Sequence, residues 1–351
     1  MEITVAGYRL RIEEKAPWER RRIVAWALIG LLLGFALVLA MGSLSPIGFN
    51  GVLRAFASSL SLDAVDVILL FAAPIVSSAA GLSIAYRAGF YTIGSEGQVI
   101  IGAVAAMYIA LYSPIRLEPP WGIIVALAFS SLTGAAYSLI VGLLRIYAYA
   151  NEVLTSLMLN YVAMYIVNYL VSGPWSTGMF TKTRSIPEDY NLPYYTVTAI
   201  TASLAVLLEF ILRRTRLGVA IEAYGKAPKA ARTYGISPRM VLLSVSIVSG
   251  LAAGLGGGLL MLGFQHTLYS LEQPPGYGYM GVLVAWLSAS SPLASLLGGV
   301  FFGYLLSTGS FLQLYGAPFN FVLSVQAVMV LSVIALLALS RYNLRLERRE
   351  G

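Results

Sequence analysis

Residues 91–103 read YTIGSEGQVIIGA. Glu96 stands among glycines at the head of an apolar run that continues to Tyr112. A carboxylate in such a run is costly in a bilayer, so its position governs how the neighbouring segments are laid out. Glu96 to Tyr112 is 17 residues, about 25 Å of helix at 1.5 Å per residue, and Ser113-Pro114 closes it. Ser95 and Gln98 have the S-x-x-Q spacing of a capping box, which starts a helix near Glu96. The carboxylate then lies in the first turn, where the helix dipole favours it. This places Glu96 near the cytoplasmic boundary, on the side of Arg87. The pattern recurs further on, where Asn151 can cap a helix, Glu152 falls in its first turn and Arg145 lies on the same side.

The surrounding chain explains which boundary this is. It has 351 residues, 58% hydrophobic and 11% charged, against about 25% charged in soluble domains. Such a chain cannot solvate an ordinary surface and is a polytopic membrane protein. Its 34 glycines suit close helix packing in lipid. It has no cysteine and one histidine, His266, which excludes disulfides and thiolate sites and leaves no basis for a protein-only metal site. The net charge of +7 is read as the basic bias of cytoplasmic loops rather than as nucleic-acid binding.

A bilayer needs about 20 apolar residues per helix. By that length ten spans are predicted, at 23–41, 66–86, 96–112, 121–144, 152–171, 194–212, 239–262, 277–290, 292–309 and 318–340. The eighth is short and separated from the ninth by Ser291-Pro292, as a tight hairpin or one broken element. With the N-terminus inside, 19 of the 23 Lys and Arg residues fall on the cytoplasmic side, as the positive-inside bias requires. The expected organisation is a cytoplasmic segment 1–22, a transmembrane domain 23–340 and a cytoplasmic tail 341–351. The run 23–41 exceeds the 7–15 residues of a signal-peptide core and is read as a retained helix, with a signal peptide as the alternative. Alternation in residues 1–15 predicts a small hairpin or an unstructured tail.

Two loops stand out. The outer loop 172–193 is rich in turn formers and serves either as a docking surface or as a connector. In the inner loop 213–239, Pro228 can open a short helix and Gly235 can close it. By physics alone that helix lies on the lipid surface or docks a soluble subunit. No phosphate-binding G-x-x-x-x-G-K-[ST] motif is present, so ATP is not expected to bind this chain. The run GLGGG at 254–258 is read as helix packing, with Gly250, Gly254 and Gly258 on one face, and Gly299 and Gly303 likewise. No hydrolase constellation is found. Within span five, Ser156 and Asn160 share a face and either line a solute path or hydrogen-bond between helices; Asn168 is read as the latter. Trp175, Tyr277 and Tyr279 either stack on a ring-bearing solute or anchor span ends.

The segment TIGSEGQVIIGA (92–103) resembles the N-I-G-x-E-G-Q signature of permease subunits of ABC importers in the branched-chain amino acid and simple-sugar branch, in the subgroup paired with basic-membrane-lipoprotein-type binding proteins. NEVLTSLMLNYVAMYIVNYLVSGPW (151–175), GKAPKAARTYGISPRM (225–240) and GYGYMGVLVAWLSASSPLASLLGG (276–299) resemble further segments of that subgroup. Thr92 and Tyr279 stand where the family has Asn and Phe. The resemblance implies an all-α fold of about ten spans with an inverted internal repeat, like that of type II ABC importers. It implies a pore of two permeases, identical or different, powered by two cytoplasmic ATPase subunits that bind ATP and Mg. An external lipid-anchored protein would deliver the solute. Nucleosides are the implied solute, with simple sugars or another small polar solute as alternatives. The helix in 213–239 is then a coupling element, with Glu222, Lys226, Pro228, Lys229, Arg232 and Gly235 towards the ATPase. Arg87, Ser95, Glu96, Gln98, Arg145, Asn151 and Glu152 mark an inner gate or its helix starts, and Asn160, Ser156 and Tyr277 the solute path. No catalytic or metal-binding residue is expected in this chain. An ion-coupled secondary transporter is the competing reading, disfavoured because the acidic residues are read at span ends.

Overall fold

In the computed structural model the described residues are 2–5, 8–14, 20–43, 45, 47–61, 64–114, 117–178 and 181–348. The apolar runs form helices α1 (Arg20–Ser43), α3 (Val65–Arg87), α4 (Ser95–Met107), α5 (Trp121–Tyr147), α6 (Glu152–Ser172), α7 (Tyr194–Arg214), α10 (Pro238–Leu260), α11 (Tyr277–Leu287), α12 (Ser295–Leu314) and α13 (Phe319–Arg341). Between them lie α2 (Gly48–Ser58) and, in the loop after α7, α8 (Arg216–Lys226) and α9 (Pro228–Thr233). Helices α4 and α10 each end in a π-helical turn, Tyr108–Tyr112 and Met261–Gln265. Eight helices among the described residues are long and apolar enough to cross a membrane.

The eighth predicted span is corrected. Helix α11 has only 11 residues, about 16 Å at 1.5 Å per residue, too short to cross alone. The chain before it, Leu271–Gly276, is non-helical and runs beside α6. Asn168 accepts from Leu271 N at 2.7 Å and donates to Leu271 O at 2.8 Å, while Asn160 donates to the Tyr279 hydroxyl at 3.2 Å. Irregular backbone at this depth is tolerated because protein side chains satisfy it. The first half of the chain repeats the arrangement. Helix α3 ends at Arg87, residues 88–94 turn back without helical structure, and α4 starts at Ser95.

The chain forms two compact units. In Val65–Tyr304, α10 packs against α3, α4 and α5, and its glycines set the spacing. A Cβ on Gly254 would fall 2.3 Å from Ser130 O, and one on Gly257 2.0 Å from Val99 O. Gly299 and Gly303 meet Val76 and Ile68 of α3 in the same way. Backbones this close gain dispersion contacts that lipid cannot displace, which is how helices associate in a bilayer. In the other unit, Met1–Ala64 with Leu305–Gly351, α1 packs on α13 through Gly30 and Gly34 against Val333 and Met329. The Ser59 and Thr308 hydroxyls are 2.8 Å apart.

This unit also holds an antiparallel sheet of β1 (Glu2–Val5), β2 (Tyr8–Glu14) and β3 (Tyr342–Arg348). The expected N-terminal hairpin is present, with Ile3 opposite Leu10. The C-terminal segment pairs with it, Leu10 opposite Leu346.

Candidate functional site

The start of α4 and the start of α11 meet head to head, and Glu96 lies between them. Its Oε1 accepts from Gly276 N at 2.7 Å, and its Oε2 from Gly278 N at 2.6 Å and Tyr279 N at 3.2 Å. These are N–H groups at the N-terminus of α11, which no intrahelical carbonyl can satisfy. The carboxylate therefore caps the opposing helix while standing in the first turn of its own, where both dipoles favour negative charge. Gly278 is required by the contact, since a Cβ there would fall 2.2 Å from Glu96 N.

This corrects one expectation. The capping box does not form: α4 has no side-chain cap, and Ser95 Oγ donates instead to Gly278 O at 2.9 Å. Gln98 is buried, and its Oε1 has no partner among the described residues. The hydroxyl that would have capped its own helix ties the opposing one. Glu96 lies within the helical body. Its neighbour Gly97 donates to Asn160 Oδ1 at 2.9 Å, and Asn160 is eight residues into α6, about 12 Å from the helix start. Glu96 is fully buried and makes no ion pair with Arg87, whose Nη1 bonds Glu222 Oε1 at 2.6 Å. Asn151 does cap α6, accepting from Val153 N and Leu154 N, and Glu152 pairs with Arg145 at 3.2 Å.

The residues expected along a solute path are structural neighbours of this junction. Asn160 is fully buried and uses its amide on Gly97 N, Ile93 O and the Tyr279 hydroxyl. Ser156 is buried and accepts from Ile93 N. Tyr277 is buried and stacks on Phe71 with ring centroids 6.5 Å apart. Trp175 stacks on Tyr112 at 4.4 Å at the opposite end of α4 and α6. That pair borders a cavity with Arg184, Asp189 and Tyr190 of the outer loop.

The loop after α7 carries the short helix expected there. Pro228 occupies the first turn of α9, and Gly235 takes φ +84° just beyond it. Lys229 and Arg232 are exposed. Helix α8, which the sequence reading missed, is capped by Thr215 Oγ1 and closes on the end of α3. A Cβ on Gly225 would fall 1.8 Å from Arg87 O. Glu222 bridges Arg87 and Lys226, and the Lys226 side chain is exposed. Arg87 Nε also donates to Ser290 O at 2.7 Å, in the turn after α11.

Glu209 of α7 was missed as well. Its carboxylate takes Arg213, Ser291 Oγ at 3.0 Å and Leu293 N at 3.3 Å, clamping the same turn. Its i,i+4 spacing to Arg213 was the available signal. Arg87 and Glu209 thus hold the α11–α12 turn from two sides, and α11 links that turn to the Glu96 junction.

Two helices that start head to head inside a helical membrane body, one of them too short to cross alone, define a transport protein of the permease type. The chain belongs to the branched-chain amino acid transport system permease component family, whose model matches residues 64–340. It is similar to the glucose ABC transporter permease protein TsgB13 of Haloferax volcanii, 28% identical over 92% of each chain. It is also similar to the nucleoside ABC transporter permease protein NupB of Lactococcus lactis, 28% identical over 80% of this chain and 81% of that one. The guanosine ABC transporter permease protein NupQ of Bacillus subtilis is 30% identical over 78% of this chain and 90% of its own. No solved structure matches the chain.

Proposed function

We propose that this permease subunit conducts nucleosides inward, driven by ATP hydrolysis in separate cytoplasmic subunits. The observation that carries the reading is the exposed α9, joined through α8 and the Arg87–Glu222 pair to α3 and the α11 turn. A partner pressing on α9 has a continuous set of packed contacts leading to the Glu96 junction, the kind of element that switches between discrete packings. The nucleoside class is supported by the names of the Lactococcus and Bacillus relatives. A simple sugar is the second reading, supported by the name of the Haloferax relative.

In this proposal ATP and Mg bind the partner ATPases, a second permease completes the pore, and an external lipid-anchored protein delivers solute. Both termini lie in the cytoplasm. The ion-coupled alternative gains nothing from the interior position of Glu96, because three backbone N–H groups already occupy its oxygens. The test is uptake of labelled uridine and glucose by vesicles holding the complete complex. ATP-dependent uridine uptake is expected. Uptake that survives ATP removal but collapses with the ion gradient would replace the ATP-driven reading.

A further inference from the structure

Helix α6 exposes Leu154, Met158, Tyr161, Tyr165 and Tyr169 at helical spacing, with Val162 and Ile166 exposed beside them. Tyr161 and Tyr165 are 45% and 64% exposed. They lie nine and thirteen residues from Glu152, about 14 and 20 Å along the axis, within a hydrocarbon core about 30 Å thick. Among the described residues neither hydroxyl has a hydrogen-bond partner. A phenol facing lipid at that depth strands its hydroxyl, and membrane tyrosines belong at the interfaces. Helix α7, by contrast, exposes apolar side chains in its interior, among them Val206, Leu207 and Phe210. The tyrosine face also adjoins the site already described, because Tyr279, bonded to Asn160, lies beside Tyr161.

We infer that Tyr161 and Tyr165 line a water-filled solute path, where ring faces stack on the base of a nucleoside and phenol hydroxyls bond its sugar or ring heteroatoms. The inference rests on the proposed import of nucleosides and assigns the path to the exposed face of α6 rather than to buried Asn160. Aromatic faces and hydroxyls on one surface suit a solute with both a flat ring and polar groups.

The chain has no cysteine, so single-cysteine variants report cleanly. Tyr161→Cys, Tyr165→Cys and the lipid-facing control Val206→Cys would be treated with a charged, water-soluble thiosulfonate in the complete reconstituted complex. The thiolate attacks the thiosulfonate sulfur and expels sulfinate, and a thiol needs water to ionise, so the two tyrosine positions should react about tenfold or more faster than position 206. Excess uridine should slow them several-fold, and Tyr165→Phe should raise the KM for uridine uptake. Tyrosine positions as unreactive as Val206→Cys would overturn the inference, as would reaction that uridine leaves unchanged. Labelling is read independently of transport. A wild-type complex with no ATP-driven uptake therefore counts against the import proposal, while accessibility and uridine protection still decide the path.

Discussion

At the residue scale, the two glutamates of similar local sequence have different fates. Glu152 was legible because its cap and its partner are local: Asn151 precedes it, and Arg145 is seven residues away. Glu96 was legible only as a helix start, because its three donors lie at least 180 residues on. Nothing in a capping-box spacing shows that Ser95 will be drawn to Gly278 O instead. The buried charge is stabilised by backbone dipoles rather than by a countercharge. Hydrogen bonds to a charged group contribute about 1.5–3 kcal/mol each, and an unsatisfied donor costs about 1–3 kcal/mol. Glu96→Gln replaces one acceptor by an amide N–H that faces other N–H groups. The subunit is expected to assemble with its partners but to melt at a lower temperature in detergent and to take up solute more slowly. An unchanged melting point with unchanged uptake would remove Glu96 as the anchor of α11.

At the element scale, the long spans were legible from length and hydropathy, and α9 from Pro228 and Gly235. Helix α11 was legible only in outline. Its apolar composition announced membrane depth, but the extended half of its crossing carries no periodic signal and is held by Asn168 of another helix. Helix α8 was hidden because its place is set by the close approach of Gly225 to Arg87 O. These elements make a specific prediction for α9. Lys229 and Arg232 are exposed and make no ion pair among the described residues, so replacing them changes stability by about 0.5 kcal/mol or less. Lys229→Glu with Arg232→Glu should leave the subunit's melting unaltered yet reduce co-purification of the ATPase subunit and ATP-driven uptake. Full co-purification with normal uptake would take the docking role from α9.

At the scale of the whole molecule, the sheet constrains the topology in a way no single span can. Strand β2 precedes α1 and β3 follows α13, and the two pair over seven residues from Tyr8–Arg348 to Glu14–Tyr342. Backbone hydrogen bonds cannot form across a bilayer, so the chain must enter and leave on one side and cross an even number of times. The eight long helices of the described residues, with α1 and the composite crossing that ends in α11, satisfy that parity. Counting α11 as a surface helix would not. In the proposed function the basic bias assigns both ends to the cytoplasm. Short epitope tags placed at each terminus should both be cleaved by protease in inside-out vesicles and both be protected in right-side-out ones. Cleavage of one tag in each orientation would break the β2–β3 pairing and, with it, the even count of crossings.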